Sequence, residues 1–127
     1  MITIYYRGSC NSSKRAIKWF EEHSISFEKV AVNRLPHKEL LRLLSLTDSG
    51  FTFFIKSSTK INSKNRIKVT KLLDLSFNEA INYLNVHSEL IQTPIIVEGD
   101  KIQVGYSGDE IRKFIPIIQR RVKLIKY

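Results

Sequence analysis

The sequence predicts an α/β fold in which a mixed four-stranded sheet carries flanking helices and a helical lobe inserted between its two halves. The chain opens, over residues 2–32, with two β-rich runs that flank a segment of helical periodicity. Leucine-rich and capped helical segments follow over residues 34–90, and two short β-rich runs around a tight turn occupy residues 94–106. A strand–helix–strand unit and a hairpin that pair with each other make one mixed sheet.

The first half of the predicted sheet is a βαβ unit. "ITIYY" at residues 2–6 is rich in β-branched and aromatic residues and predicts a buried strand. In residues 11–24 the apolar side chains recur at helical spacing among charged ones, which predicts a helix with one face on the sheet. "SFEKVAV" at residues 26–32 predicts the second strand.

The middle of the chain predicts two helices joined by a basic loop. Pro36 suits the first turn of a leucine-rich helix, which "TDSG" is expected to end at Gly50. Ser76 and Glu79 form a capping-box pattern that announces the second helix. The residues between these helices are rich in Lys and Arg and are interpreted as a loop.

The last part of the chain predicts a β-hairpin and a final helix. In "PIIVEGDKIQVGY", residues 94–106, Glu98, Gly99 and Asp100 favour a tight turn. Residues 107–110 repeat the capping-box pattern and open a helix that Pro116 is expected to end. This is the element order of a thioredoxin-like domain, with its core at about 1–33 and 91–116, a helical insert at about 34–90 and a basic tail at 117–127. Its 127 residues fit a single domain, 1–127.

The net charge of +9 is concentrated in two basic patches. One precedes Asp74 and the other closes the chain; their members are Lys56, Lys60, Lys64, Arg66, Lys68 and Lys71, and Arg120, Arg121, Lys123 and Lys126. Such patches have two interpretations. They are solvated charges that aid solubility, or they form a surface that binds nucleic acid or an acidic face of another protein. Charge alone leaves both interpretations open.

Composition disfavours several classes of protein. No segment approaches the roughly 20 apolar residues that a bilayer span needs, so we expect a cytoplasmic protein without membrane contact. The single cysteine cannot form an intramolecular disulfide, and the three widely spaced histidines lack metal-ligand spacing. We therefore expect no metal and no cofactor.

Cys10 is the candidate chemical group of the sequence. In the predicted fold it lies at the N-terminus of the first helix, where unpaired amides and the helix dipole favour a thiolate. Thr93 and Pro94, before the third strand, should face it across a cis peptide bond. The alternative is that Cys10 merely fills space, while one of the next three residues caps the helix.

The whole chain resembles the Spx family of bacterial transcription regulators, itself similar to the glutaredoxin-dependent arsenate reductases. The most specific stretches are "ITIYYRGSCNSSKRAIKWFEEHSISFE", "LTDSG" at residues 46–50 and "PIIVEGDKIQVGYSGDEIRKFIP" at residues 94–116. The resemblance implies binding to the C-terminal domain of the RNA polymerase α subunit and a role in stress response. Gly50 stands where Spx proteins carry the glycine that contacts this subunit.

The chain departs from both patterns at its thiol site. Spx proteins typically carry a Cys-x-x-Cys switch. Here Ser13 stands at the position of the second cysteine, and a serine cannot close a disulfide with Cys10. The resemblance therefore implies either a constitutive regulator or one that senses through a mixed disulfide with an outside thiol.

The arginines that the enzymatic relatives use to hold an oxyanion are also largely missing. Thr93 replaces the arginine expected before the proline, Ser58 replaces another, and Arg112 remains as an anion contact or an ordinary solvent-facing charge. Two of the three positions are lost, which disfavours arsenate reduction.

We therefore expect a non-enzymatic, Spx-type regulator that also contacts promoter DNA nonspecifically through its basic patches. The alternative is a single-cysteine oxidoreductase of the arsenate reductase type, linked to glutathione or glutaredoxin, with Cys10 as its nucleophile. A third interpretation is a protein that binds DNA alone, which the absence of a recognisable DNA-reading motif disfavours.

Overall fold

Four strands form one mixed sheet in the computed structural model, which describes residues 1–56 and 61–116. The strands are β1 (Ile2–Tyr6), β2 (Phe27–Ala31), β3 (Ile95–Glu98) and β4 (Lys101–Val104), in the spatial order β2-β1-β3-β4. β1 pairs with β2 in parallel and with β3 antiparallel, and β3 pairs antiparallel with β4. The predicted fold class and its four strands are confirmed.

The helices are α1 (Asn11–Glu22), α2 (His37–Ser45), α3 (Ser63–Leu73) and α4 (Phe77–Val86). Within the described part of the chain, four short 3-10 helices accompany them, at Val32–Arg34, Gly50–Phe53, Ser88–Leu90 and Glu110–Phe114. No helix among the residues described is long and apolar enough to cross a membrane.

Both faces of the sheet are covered. Ile2 and Ile4 of β1 pack with Ala16 and Phe20 of α1. Tyr5, on the opposite face, belongs to a larger core shared with α2, α3 and α4. Alternate strand residues point to opposite faces, so a strand that is covered on both sides has a nearly continuous apolar sequence, as in "ITIYY".

The leucine-rich helix ends five residues earlier than predicted. α2 stops at Ser45, and Gly50 instead begins a 3-10 helix with a left-handed φ of +63°. The Thr47 hydroxyl accepts a hydrogen bond from the Ser49 backbone amide at 3.1 Å. Threonine and serine hydroxyls offer the backbone this alternative to helical pairing, which accounts for the early stop.

The predicted basic loop is wrong over residues 63–73, where the chain forms α3. The Asn62 side chain caps this helix by accepting a hydrogen bond from the Asn65 amide at 2.8 Å. Lys, Arg and Leu are good helix formers, so a segment interpreted from its charge as a loop has adequate helix propensity. Lys60 and Ser58 lie outside the described residues, as does the basic tail with Arg120, Arg121, Lys123 and Lys126.

Local signals at the other helix ends are partly confirmed. Ser76 and Glu79 form the predicted capping box of α4. The final helix is a 3-10 helix, not an α-helix, although the Ser107 hydroxyl does accept a hydrogen bond from the Glu110 amide at 3.2 Å. Ile111 and Phe114 lie three residues apart and are both buried, a spacing that a three-residue turn satisfies as well as an α-helical one.

Candidate functional site

The structure brings Cys10 and Thr93 together at the end of the sheet. Cys10 is the N-cap residue of α1, and its thiol Sγ lies 3.5 Å from the Thr93 carbonyl oxygen, to which it donates. Thr93 is buried, and the peptide bond between Thr93 and Pro94 is cis, as the sequence predicted. Ser13 is also buried, and its hydroxyl accepts a hydrogen bond from the Arg7 backbone amide at 3.3 Å.

None of the residues that follow Cys10 caps α1 with its side chain. The helix begins at Asn11, so Asn11, Ser12 and Ser13 all lie inside its first turn, and the N-cap position has no side-chain cap. The alternative in which one of them is the capping residue is therefore wrong. Cys10 itself occupies that position, next to the exposed amides of the first turn.

The environment of Cys10 favours its thiolate. Burial acts to raise the pKa of the thiol, but hydrogen bonds from the side chains of Thr93 and Ser13 lower it. The backbone amides of Ser13 and Ser12 act in the same direction, and the net pKa of Cys10 lies below its ordinary value. Cys10 is a partly exposed thiol in a surrounding that suits reactivity.

Cys10 opens into a cleft of about 530 Å³ that contains two cationic side chains. This thiol cleft is lined by Arg7, Ser9, Cys10, Asn11, Ser12, Lys56, Gln92 and Thr93. No carboxylate is among these lining residues. The cleft therefore suits an anionic group, including the thiolate itself.

Lys56 reaches the thiol cleft because its segment pairs with the chain before β3. The Lys56 amide donates to the Leu90 carbonyl at 3.1 Å, and the Gln92 amide donates to the Phe54 carbonyl at 2.7 Å. Burial lowers the pKa of Lys56, and the nearby Arg7 charge lowers it further. The Cys10 and Glu89 charges oppose this change.

The sequence interpretation missed Arg7 and Lys56 as site residues. Arg7 lies three residues before the cysteine and directly after a buried strand, where a charged residue is unusual. This position could have identified Arg7 from the sequence as a candidate site residue. Lys56 gave no comparable signal, because only the pairing of residues 54–56 with 90–92 brings it to the cleft. Arg112 is exposed on the last 3-10 helix and does not line the thiol cleft.

A second cluster of charges borders Arg7. The Glu89 carboxylate lies 2.7 Å from Lys68 Nζ of α3 and 3.2 Å from His87 Nδ1. Burial acts to raise the pKa of Glu89, but hydrogen bonds from Lys68, its own backbone amide and His87 outweigh burial and hold the pKa at about 2. Glu89 therefore ties α3 to the segment that precedes β3.

The low pKa of Glu89 predicts a pH-dependent contribution to stability. An unperturbed glutamate has a pKa of 4.5, so the stabilisation is fully present above that pH and is lost as the pH falls towards about 2. We expect Glu89→Gln to lower the free energy of unfolding by about 1 kcal/mol or less at pH 7, because its side chain is 38% exposed and solvent screens the pair. The difference between wild type and variant in urea unfolding should shrink from pH 5 to pH 2.

Glu22→Gln is the matched control, since that exposed carboxylate makes only a 3.7 Å ion pair with Lys18. A Glu89→Gln variant whose destabilisation is the same at pH 7 and pH 2.5 would contradict the assigned role.

The sheet order, and a thiol beside the residue that precedes the cis-proline before β3, define a thioredoxin-like protein with a single-cysteine site. The model of the ArsC family matches residues 5–114. The chain belongs to the ArsC family.

Relatives of known name agree with this membership. The chain is 33% identical over 126 residues to the global transcriptional regulator Spx of Streptococcus pneumoniae, covering 98% of this chain and 92% of that regulator. The resemblance to Spx proteins that the sequence suggested is thus confirmed over nearly the full length.

Solved structures share the fold. A possible arsenate reductase from Streptococcus mutans is 29% identical, with a TM-score of 0.65 over 84% of this chain and 91% of that one. An ArsC family related protein from Bacteroides fragilis has a TM-score of 0.73 at 21% identity, over 89% of this chain and 96% of that one. The second likeness supports the fold alone.

Proposed function

We propose that this protein is an Spx-type transcription regulator that binds the C-terminal domain of the RNA polymerase α subunit through the surface around Gly50. Its similarity to the Streptococcus pneumoniae regulator spans 98% of the chain, which supports a shared function. As such a regulator it acts in the cytoplasm, in the response to stress, and as one domain. Gly50 is the observation that carries the partner assignment.

Gly50 offers a partner close access to the backbone. A Cβ atom built at this position would meet nothing within 4 Å, so the space beside it is open. Its φ of +63° also lies in the region that favours glycine. The backbone conformation favours glycine at this position, and the open space leaves room for a second protein.

An aromatic pair borders Gly50. Phe51 follows it directly and packs against Phe77 of α4, with ring centroids 5.5 Å apart, and Phe77 is 53% exposed. Phe54 is fully buried and belongs to the core, so it is unavailable to a partner. Exposed aromatic side chains are enriched at protein interfaces, which makes the Phe51–Phe77 pair a natural extension of the Gly50 surface.

Nonspecific contact with promoter DNA is the second part of the proposal. α3 exposes Lys64, Arg66 and Lys71, and no acidic residue occurs within this helix. Clustered cations gain free energy when they displace the counterions of a phosphate backbone. A regulator held on polymerase near a promoter would use such a face for positioning, without reading bases.

The second candidate function is a single-cysteine oxidoreductase of the arsenate reductase type, linked to glutathione or glutaredoxin. The lowered pKa of Cys10 and the two cations of the thiol cleft favour it. Arg112, by contrast, lies outside the cleft lining. The regulator remains the proposed function because two of the three arginine positions are not arginine and the third does not reach the thiol.

A Cys10→Ser substitution separates the two functions. For the regulator, Cys10→Ser should keep α-subunit binding and transcription activation within about twofold of wild type under reducing and oxidising conditions, because no intramolecular disulfide exists to be lost. For the enzyme, the same change would remove the nucleophile and reduce turnover to background. The measurements are in vitro transcription with purified polymerase, and arsenate or glutathione-disulfide reduction assays.

Glutathione-dependent turnover by wild type that Cys10→Ser eliminates would overturn the regulator proposal. Reversible glutathionylation without turnover would make the regulator a sensor that uses an outside thiol. Ser9→Ala is the matched control, since it removes a neighbouring hydroxyl and keeps the thiol.

A further inference from the structure

The outer edge of β4 has no neighbouring strand among the described residues. β4 is the last strand in the order β2-β1-β3-β4 and pairs only with β3. The Gly105 amide donates to the Pro94 carbonyl at 2.8 Å, so the backbone of Gly105 points towards β3. Backbone groups alternate in direction along an antiparallel strand, so Ile102 and Val104 direct their amides and carbonyls outwards. Such an edge can accept a further strand.

The edge of β4 is complementary to itself. If two copies pair antiparallel about a two-fold axis at Gln103, Ile102 of each copy lies opposite Val104 of the other and can exchange two backbone hydrogen bonds with it. Ile102 and Val104 lie on one face of β4, where both pack against the larger core, so these β-branched side chains would also meet across the junction. A second copy of this chain therefore presents a strand that matches the edge.

Lys113, on the last 3-10 helix, occupies this edge instead. Its Nζ donates to the outward-pointing Ile102 carbonyl at 2.8 Å and lies 5.6 Å from the centre of the Phe114 ring. Lys101 Nζ donates in turn to the Lys113 carbonyl at 3.3 Å, which holds the 3-10 helix beside β4. The carbonyl that a second β4 would need is thus already bonded to a cation of the same chain.

The positive charge at this edge also opposes pairing. Lys113 makes no ion pair with a carboxylate in the part of the chain that the structure describes. Pairing of two copies would bring their Lys101 and Lys113 ammonium groups to one junction, and like charges across a strand pair are destabilising. Lysine at an edge strand is one of the devices by which proteins prevent edge-to-edge association.

We propose that Lys113 guards the edge of β4 and prevents it from pairing with β4 of a second copy, so that the protein acts as a monomer. This role goes beyond the proposed function, since it concerns the association of the chain with itself and requires no partner protein. It is tested on the full chain alone, so its outcome is separate from that of α-subunit binding.

Lys113→Met keeps the apolar stem of the side chain and removes the ammonium group. Sedimentation equilibrium should show wild type as a monomer up to about 500 μM and Lys113→Met as a dimer with a Kd of about 50 μM or below, because the Ile102 carbonyls are released. Lys113→Arg, which keeps the charge and the donor, should remain monomeric. Lys18→Met is the matched control, because it removes the same charge from an exposed position on α1 and should also remain monomeric.

Val104→Pro tests whether β4 is the site of association. The Val104 amide points away from β3, so a proline there removes an edge donor without removing a hydrogen bond of the sheet. In the Lys113→Met background it should restore the monomer. Hydrogen exchange is a second measurement that needs no double variant. The Ile102 and Val104 amides should exchange at least about tenfold more slowly in the Lys113→Met dimer than in the monomer obtained by dilution.

Near-ultraviolet circular dichroism checks that Lys113→Met is folded, and Lys113→Ala takes its place if it is not. A folded variant that stays monomeric at about 500 μM, or that associates no more tightly than wild type, would overturn the inference. So would a dimer in which the Ile102 and Val104 amides exchange as fast as in the monomer, because the edge of β4 would then lie outside the contact.

Discussion

Gly50→Arg should weaken binding to the C-terminal domain of the RNA polymerase α subunit by at least about 30-fold, the effect of losing roughly 2 kcal/mol at the centre of an interface. The space beside Gly50 is open, so an arginine side chain would occupy the volume that the partner needs. Isothermal titration calorimetry with the purified domain measures the change.

The backbone conformation of Gly50 makes a control necessary. At a φ of +63°, a side chain costs free energy even without a partner. Asparagine tolerates the left-handed region better than other residues and is short, so Gly50→Asn separates backbone strain from obstruction. We expect Gly50→Asn to bind within a few-fold of wild type. A folded Gly50→Arg variant that binds as wild type does would remove this surface from the proposed function.

Phe20→Ala should destabilise the protein by about 3–5 kcal/mol, the usual cost of truncating a buried phenylalanine. Phe20 is fully buried, and its ring lies 5.7 Å from that of Phe27 and 5.9 Å from that of Phe114. It therefore joins α1, β2 and the last 3-10 helix. Domains of this size are typically stable by about 5–15 kcal/mol, so much of the folding free energy would be lost.

Phe77→Ala is the matched control for that substitution. The same atoms are deleted, but Phe77 is 53% exposed, so urea unfolding should register about 1 kcal/mol or less. Equal destabilisation by the two variants would contradict the packing of α1 on the sheet. Because Phe77 packs on Phe51, which follows Gly50 in the chain, the same variant also tests whether this aromatic pair contributes to α-subunit binding.

Patterns that are local in the chain were sufficient to predict most of the fold. β1 and α1 follow from periodicity, and the capping box of α4 follows from Ser76 and Glu79, which satisfy each other's neighbouring amides. The proximity of Cys10 to Thr93 follows from the strand order. β1 and β3 are antiparallel neighbours, so the last residues of β1 and the first residues of β3 lie at the same end of the sheet. The first two features depend on residues that the local pattern itself contains, and the third depends on the order of the predicted strands.

The features that sequence could not predict depend on contacts between distant residues. Within α3, Leu72 is the one buried residue and Ile67 is 73% exposed, so the helix has only a weak apolar face. Its many positive charges therefore led to the prediction of a loop, although its residues have adequate helix propensity. Arg7 is held at the thiol cleft by hydrogen bonds to residues 81 to 86 positions further along the chain. Hydrogen-bond partners this far apart in the sequence can be identified only from the folded structure.

The measurement that tests the central claim most directly is binding of the isolated C-terminal domain of the α subunit to the wild-type chain, by calorimetry and by co-elution in gel filtration. We predict a 1:1 complex that survives reduction, oxidation and the Cys10→Ser substitution, and that Gly50→Arg weakens by at least about 30-fold. The contrary result is a folded wild-type chain that forms no complex with the domain at concentrations up to about 100 μM, in either redox state.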